Sequence, residues 1–322
     1  MRKFQSFLST LMESYVAFRK AGGCWNEVTY GANLYIFDRY CFEQHPNAIE
    51  LSQEMVNGWC SQRATESNNS CRNRTAVVSS FVDYLRKRNK TSVEPPVLPK
   101  NEKCTYIPHA FADDELFNFF QACDNLQDTP RSIIILSRKI TVPVFFRLLY
   151  SSGIRTNEAR MLRVSDVNLV EGVLNIERSK GLAQHYIALH ETMLVLMREY
   201  DTAIRELFPT REYFFPFRNG YTPLNRKWVQ TNFSVARYKK NTTNATAYDL
   251  RHNYAVENIN QWIGEGLDFN SKLLYLSKSM GHSKLESTKY YFHLVPALAD
   301  VIDELSGQSF DEIVPEVEYE ES

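Results

Sequence analysis

The sequence lacks the residue patterns of several common kinds of site. Its six cysteines form no CxxC motif and do not combine with histidine at the spacing of zinc ligands. No apolar run is long enough to span a bilayer, the first residues lack the layout of a signal peptide, and no P-loop is present. We therefore expect a cytoplasmic protein with reduced thiols that needs neither a metal ion nor another cofactor.

Net charge is also nearly absent, but the charges are unevenly distributed. The 322 residues carry a formal net charge of −1. Residues 311–322 hold six acids and no base, and without these six charges the other 310 residues stand at +5. Residues 72–90 hold six bases and one acid. A local basic surface of this kind suits an anionic partner, although a solvated helix face explains a charge run equally well.

The first part of the chain predicts a helical domain over residues 1–92. Gly22 and Gly23 end its first helix, and a third helix is predicted over residues 73–88. The apolar stripes of the first and second helices are Phe4, Leu8, Leu11, Tyr15 and Phe18, then Tyr35, Ile36, Tyr40 and Phe42. In the third helix the inward residues are Val77, Val78, Phe81, Val82 and Leu85, and the outward residues are Arg74, Arg86, Lys87 and Arg88.

The rest of the chain predicts a linker, a larger domain and a tail. Residues 93–105 contain three prolines and little apolar content, which is typical of an extended linker. Residues 106–308 predict a domain of helices with one small antiparallel sheet, and the acidic residues 309–322 predict a mobile tail. Helices are predicted over 112–123 and 143–150 and from Glu191, Lys227, Asp249, Lys272 and Ser283, and strands over 173–177 and 186–189. The expected fold class is therefore mainly α with a small antiparallel β-sheet.

Two short segments place an arginine near a helix start. In the first, Gly153 ends one helix and Arg155 occupies the turn before the next, three residues ahead of Glu158. In the second, Arg251 and His252 lie near the start of a helix with an apolar face. Each also has a purely structural explanation, because Arg155 could pair with Glu158 or Asp166 and Arg251 could pair with Asp249.

A third segment combines a histidine with a tyrosine. Gly281 ends a helix, and Ser283 with Glu286 forms a capping box for the next helix. His282 therefore stands at a helix N-terminus, where backbone N–H groups favour an anion. Tyr291 follows nine residues later. Its structural explanation is a buried core tyrosine, the commoner fate of an aromatic residue in a helix.

Taken together, the three segments resemble the tyrosine recombinases, also called phage integrases. The first family motif, G-[LI]-R-x-x-E, matches Gly153-Ile154-Arg155 with Glu158. The second, H-x-L-R-H, matches residues 248–252 except that Tyr248 stands where the family has His or Lys. The third, L-G-H with a tyrosine nine residues later, matches Met280-Gly281-His282 with Tyr291. A Ser179-Lys180-Gly181 turn occupies the place of the family's hairpin lysine.

This resemblance implies a function and a set of roles. Arg155, Arg251 and His282 would hold the phosphate of double-stranded DNA, Tyr291 would attack it, and Lys180 would protonate the leaving 5′-oxygen. Tyr248 could hydrogen-bond the phosphate but is a poor base at neutral pH, with a reference pKa of about 10. Glu158 and His252 would support these groups. The product would be a 3′-phosphotyrosyl link, followed by a Holliday junction, in a nucleoid-associated enzyme without metal or cofactor.

The resemblance also implies how the protein assembles on DNA. The helical domain would be the core-binding domain that clamps the duplex with the catalytic domain, in a tetramer on paired sites, with other recombinases or DNA-bending proteins as further partners. A helix over residues 296–305 would pack on a neighbouring subunit or on its own domain. The candidate phosphate contacts are Arg72, Arg74, Arg86, Lys87, Arg88, Arg226, Lys227, Arg237, Lys239 and Lys240.

Three functions remain open on the sequence alone. We favour an active recombinase of a mobile element, which the unusual Tyr248 and the divergent N-terminal domain weakly support. A type IB topoisomerase-like enzyme would use the same residue types without a specific site. A DNA-binding architectural or regulatory protein that has lost catalysis has only Tyr248 in its favour.

Overall fold

The computed structural model describes residues 3–102, 106–126, 132–177, 184–262, 268–282 and 284–291. The chain divides into two compact units, Met1–Tyr106 and Ile107–Ser322. In the described ranges, no helix is both long and apolar enough to cross a membrane. We describe each unit by itself.

The first unit is helical. Its elements are α1 (Ser9–Ala21), a short π-helix (Glu27–Gly31), α2 (Ala32–Gln44), α3 (Gln53–Cys60) and α4 (Asn68–Arg86). The Ser52 and Ser67 side chains cap α3 and α4 by accepting backbone N–H groups. The residues predicted to face inward on α4 are all buried, from Val77 to Leu85. Helix α3 was not among the helices predicted from the sequence.

Two of the predicted apolar stripes are partly wrong. On α1, Leu8 and Tyr15 are buried, but Phe18 is 51% exposed. On α2, the buried face carries Leu34, Phe37, Asp38 and Cys41, whereas the predicted Ile36 and Phe42 are exposed. The sequence did not reveal this buried face because it contains an acidic residue, Asp38. The Asp38 carboxylate accepts the backbone N–H of Ser6 at 3.0 Å and the Ser6 hydroxyl at 2.6 Å. A buried acid is stable there because both oxygens are hydrogen-bonded.

The second unit combines helices with two small antiparallel sheets. Its helices are α5 (Asp113–Asp124), α6 (Ile133–Ser152), α7 (Thr156–Met161), α8 (Glu191–Leu207), α9 (Arg226–Arg237), α10 (Asp249–Trp262), α11 (Asp268–Ser279) and α12 (Glu286–Lys289). Strands β1 (Val167–Asn168), β2 (Val173–Ile176) and β3 (His185–Ala188) form one sheet in that order, and β4 (Pro216–Phe217) pairs with β5 (Thr222–Pro223). The predicted fold class, mainly α with a small antiparallel sheet, is confirmed.

Helix α6 is the centre of this unit and begins ten residues earlier than predicted. It packs against α5, α8 and α10, and most of its side chains from Thr141 onward are buried. The prediction placed its start at Pro143, because proline favours the first turn of a helix. In the structure Pro143 lies inside the helix, where it removes one backbone hydrogen bond. Gly153 ends the helix with a φ of +60°, as the sequence indicated.

Two predicted phosphate contacts are wrong, because their guanidinium groups are buried in ion pairs. Arg74 lies 2.7 Å from Glu66 and also donates to the Ser61 carbonyl. Arg237 is fully buried and lies 2.5 Å from Glu115. A charged group at a domain surface would have stayed solvated, but these two are neutralised inside their units and cannot reach DNA.

The Arg237–Glu115 pair gives a stability prediction. Burial raises the pKa of Glu115, but hydrogen bonds from Thr243, His109, the Ala112 backbone and Arg237 outweigh it and lower the pKa to about 2. Glu115→Gln leaves Arg237 buried without its counter-charge, so we expect a loss of about 3–5 kcal/mol in unfolding free energy at pH 7. Urea unfolding monitored by circular dichroism measures it.

The pH dependence of this difference has a definite sign. A carboxylate whose folded pKa is lowered contributes stability above its ordinary pKa of 4.5, and that contribution disappears as the pH falls towards 2. The gap between wild type and Glu115→Gln should therefore narrow from about pH 5 downward. A gap that stays constant over this range would show that Glu115 is not the group that titrates.

Candidate active site

Arg155 is fixed at the start of α7 by Glu158. The Glu158 carboxylate accepts the Arg155 backbone N–H at 3.1 Å, and its other oxygen lies 2.7 Å from Nη1 of the guanidinium. Glu158 is buried, whereas Arg155 keeps part of its side chain accessible. The pairing with Glu158 that offered a structural explanation therefore exists, and it aims the arginine without covering it.

The turn after α11 presents two backbone carbonyls to the arginines. Gly281 has a φ of +63°, and the N–H groups of Gly281 and His282 bond back to Lys278 and Ser277, each at 2.9 Å. These two bonds close the helix end because Gly281 has a left-handed backbone conformation, which glycine adopts without strain. The carbonyl of Gly281 accepts Nη2 of Arg155 at 2.6 Å.

Arg251 joins the three sequence segments. Its side chain, at the start of α10, is buried, and the residue is only 1% exposed. Its guanidinium donates to the carbonyl of Gly153 and, at 2.8 Å, to that of Met280. The same Nη2 atom lies 3.0 Å from Nε2 of His282. One buried guanidinium therefore holds the ends of α6 and α11 together, beside the turn that binds Arg155.

His282 is uncharged in this site. Burial, and then the positive charges of Arg251 and Arg155, lower its pKa to about 4. Because Arg251 can only donate, Nε2 of the neutral ring is the acceptor, and Nδ1 carries the proton towards Thr288 Oγ1, 2.7 Å away. An anion bound between the arginines would offset their repulsion and favour the protonated ring.

Tyr291 lies beside these groups and is only 3% exposed. Its ring stacks on His282 at a centroid distance of 6.4 Å and tilts against His252 at 5.5 Å. Burial raises the pKa of its phenol to about 12, although the charge and hydrogen bonding of Arg251 act in the opposite direction. Tyr291 is thus a buried tyrosine, as its structural explanation supposed, but its neighbours include an arginine and two histidines.

Tyr248 differs from the other predicted residues in its exposure. It is 42% exposed, and its ring meets that of His252 edge-on at 5.0 Å. Burial, and more weakly the charge of Arg251, lower the pKa of His252. The rings of Tyr248, His252 and Tyr291 therefore form a row that runs from the surface to the buried phenol.

His185, on β3, was not among the predicted site residues. Its ring is buried, with Nε2 3.9 Å from a Glu158 oxygen. A Cβ atom at Gly281 would lie 2.6 Å from the same ring. The strand alternation was the available signal, because His185 shares the buried face of β3 with Ile187.

Several predictions concern residues outside the described ranges. Lys180 and its turn, Ser283, the helix over residues 296–305 and the acidic tail all belong to this group. Among the residues that the structure does describe, no cluster of three or more His, Cys, Asp or Glu side chains could hold a metal ion.

The remaining predicted phosphate contacts lie at or near the surface of their own units. Arg86 pairs with Glu94 at 2.5 Å and Lys87 pairs with Asp83 at 2.7 Å, and both ion pairs are exposed to solvent. Arg72 donates to the Pro99 carbonyl at 2.6 Å, and the Arg88 guanidinium lies over the Tyr84 ring. The other predicted contacts are exposed on or just after α9, and they are Arg226, Lys227, Lys239 and Lys240.

The fold and the site together define a class of protein: a mainly helical chain in which Arg155, Arg251, His282 and Tyr291 lie together around the turn at Gly281. Comparison with known proteins agrees with this class. The model of the phage integrase family matches residues 111–297. The chain is 26% identical over 233 residues to the tyrosine recombinase XerA of Pyrococcus horikoshii, covering 70% of each chain.

Two further relatives match nearly the whole chain. The tyrosine recombinase XerD of Staphylococcus aureus is 24% identical over 304 residues, covering 89% of this chain and 95% of its own. The crystal structure of a lambda integrase dimer bound to a COC′ core site has a TM-score of 0.56 and 16% identity, with coverage of 88% and 94%. The chain belongs to the phage integrase family and is a tyrosine recombinase, an enzyme that breaks and rejoins DNA strands.

Gly281 gives a prediction that separates geometry from stability. In Gly281→Ala the new Cβ would lie 2.6 Å from His185 and 2.9 Å from Nη1 of Arg155, on a left-handed backbone. We expect about 1–3 kcal/mol less stability and, because Arg155 is displaced, roughly 100-fold slower strand cleavage. Thermal unfolding and single-turnover cleavage measure the two effects.

Gly172→Ala is the matched control for this substitution. Gly172 also has a left-handed φ, of +70°, but its Cβ would meet only the flexible end of Leu194, at 3.1 Å. It should lose similar stability and cleave DNA normally. Equal losses of cleavage in both variants would mean that Gly281 matters for folding alone.

Proposed function

We propose that this enzyme is a site-specific recombinase that cuts and rejoins double-stranded DNA through a phosphotyrosyl bond to Tyr291. The observation that carries the proposal is the convergence of Arg155 and Arg251 on the turn Met280–His282, with the Tyr291 ring beside it. Two fixed guanidinium groups suit a phosphate, whose oxygens gain negative charge as phosphorus is attacked. The unit that contains them would be the catalytic domain, and residues 1–92 the core-binding domain.

The proposed reaction has two balanced transfers. The Tyr291 oxygen attacks phosphorus, and the bond from phosphorus to the 5′-oxygen breaks, so that one fragment of the cut strand carries a 3′-phosphotyrosyl end and the other fragment of the same strand carries a free 5′-hydroxyl. The phenol loses its proton to the neutral ring of His252, which lies beside it. Lys180 would give a proton to the 5′-oxygen. The reverse attack by a 5′-hydroxyl from another duplex then joins the strands into a Holliday junction.

The exposed phenol of Tyr248 suits a hydrogen-bond donor more than a base. A phenol carries one O–H donor. It would therefore donate to a phosphate oxygen from the outer edge of the site. The same residue is the one observation that favours a second candidate, a DNA-binding protein of this fold that has lost catalysis.

The proposal extends to assembly and biological role. Strand exchange needs two duplexes, so we place the enzyme in a tetramer on paired sites in the nucleoid, assisted by other recombinases or DNA-bending proteins. Tyr248 stands where the family motif has His or Lys, and this difference favours a role in a mobile element over a role in chromosome resolution. Sister recombinase genes or element ends beside the coding sequence would support this role.

Covalent trapping tests the proposal. Wild-type protein would be incubated with nicked duplexes drawn from the DNA around its own gene and from a randomised library, so that the released strand diffuses away. We expect an adduct that resists denaturation and whose mass equals protein plus oligonucleotide. Binding without adducts in any duplex would favour the non-catalytic candidate. Relaxation of any supercoiled plasmid, without site preference, would favour a topoisomerase.

A further inference from the structure

A groove continues from the candidate active site along α7 and α9. Its volume is about 550 Å³, and Arg155 and Tyr248 of the candidate site line it. Arg160 and Arg226 line it as well, together with Asn157 and an apolar wall on α9. None of the described residues that line it is acidic. The groove therefore carries three arginines and no counter-charge of its own.

Arg160 is held in place with donors to spare. Its Nε and Nη2 donate to the Asn157 side-chain oxygen at 3.1 and 2.7 Å, and its Nη1 donates to the Leu224 carbonyl at 2.9 Å. A guanidinium has five N–H donors, so two remain after these three bonds among the described contacts. They belong to a half-buried side chain whose orientation is already fixed.

Arg226 brings a second positive charge to the same place. It is exposed at the first residue of α9, and no ion pair of Arg226 occurs in the described part of the chain. Burial lowers the pKa of Arg160, and the charge of Arg226 lowers it further, so the two guanidinium groups repel each other. An anion between them would remove that repulsion.

The spacing suits the DNA that the catalytic site would hold. Arg160 follows Arg155 by five residues, which is about 7 Å along a helix. Neighbouring phosphates of one DNA strand lie about as far apart through space, because the strand winds around the helix axis as it rises, so this distance corresponds to one nucleotide step. The apolar wall beside it suits deoxyribose.

We propose that Arg160 and Arg226 form a subsite for one backbone phosphate, about one nucleotide from the phosphate that Tyr291 attacks. The inference rests on the proposed function, because it assumes that DNA lies across Arg155. The subsite would fix the position of the strand along the groove and would carry no sequence information.

The salt dependence of DNA binding tests the subsite. A fluorescent 30-base-pair duplex of arbitrary sequence would be titrated with Arg226→Ala, Arg160→Ala and wild type between 0.1 and 1 M NaCl. Loss of one phosphate contact lowers the slope of log K against log salt by about 0.9, which is about eightfold weaker binding at the low-salt end. We expect this change in each variant. Arg218→Ala removes an exposed arginine outside the groove and should match wild type.

Two safeguards keep the result interpretable. Arg226 is exposed, so its variant should melt like wild type even if Arg160→Ala disturbs Asn157. An unchanged slope in both variants, or a change in only one, overturns the shared subsite. If the slopes fall but wild type never forms a Tyr291 adduct, the proposed function fails and the subsite stands. If adducts form and the slopes do not change, the subsite alone fails.

Discussion

Tyr291→Phe should abolish covalent adduct formation on nicked duplexes while leaving DNA affinity within about twofold of wild type. The substitution removes one oxygen, the attacking atom of the proposed reaction. The ring contacts with His252 and His282 are kept, so the site should retain its shape. Denaturing gels of protein bound to labelled DNA measure the adduct, and titration of uncut duplex measures the affinity.

The neighbouring residue supplies a matched control. Tyr290 precedes Tyr291, carries the same phenol and is 43% exposed, with its ring 5.7 Å from that of Tyr291. Tyr290→Phe should form adducts at the wild-type rate. Adducts that persist in Tyr291→Phe and vanish in Tyr290→Phe would transfer the role of nucleophile to Tyr290.

Arg251→Lys should slow strand cleavage by about 100- to 1,000-fold, the usual cost of removing one fixed donor to a developing negative charge. Lysine keeps the positive charge but has no planar pair of donors. It cannot reach the Gly153 and Met280 carbonyls together as Arg251 does. Single-turnover cleavage with saturating protein isolates the chemical step from binding.

A fall in stability must be separated from the fall in rate. Arg211 is likewise buried and pairs with Asp201, but it lies in none of the three motif segments. Arg211→Lys should lower the melting temperature and leave cleavage unchanged. If both variants lose rate in proportion to their lost stability, Arg251 has a structural role only.

The sequence predicted elements best where local patterns were consistent. The α4 core face and the strands β2 and β3 have uniform apolar spacing, and they form as expected. The wrong predictions involve residues whose type usually indicates a different position in the fold. The charge of Asp38 suggests a surface residue, but Asp38 is buried and accepts hydrogen bonds from Ser6. Pro143 suggests a helix start, but it lies inside α6. Tertiary contacts determine where such residues lie, and the apolar periodicity of the sequence carries no information about those contacts.

For the candidate site, the sequence indicated residue identities better than environments. Arg155, Arg251, His282 and Tyr291 lie together, but no local signal showed that Arg251 would be buried on backbone carbonyls. His185 was missed because it lies in a strand without a motif of its own. Arg237 was misassigned because its partly buried partner, Glu115, is 122 residues away in the chain.

The buried phenol has a consequence for the enzyme at rest. With a pKa of about 12, only about one molecule in 100,000 holds the reactive phenolate at pH 7. The Tyr291 oxygen, the proposed nucleophile, is therefore both covered and uncharged, and electrophiles in solution should modify Tyr291 far more slowly than the exposed tyrosines. The Tyr291 phenol would become reactive only when a bound substrate has reorganised its surroundings, so it should stay unreactive in the free protein.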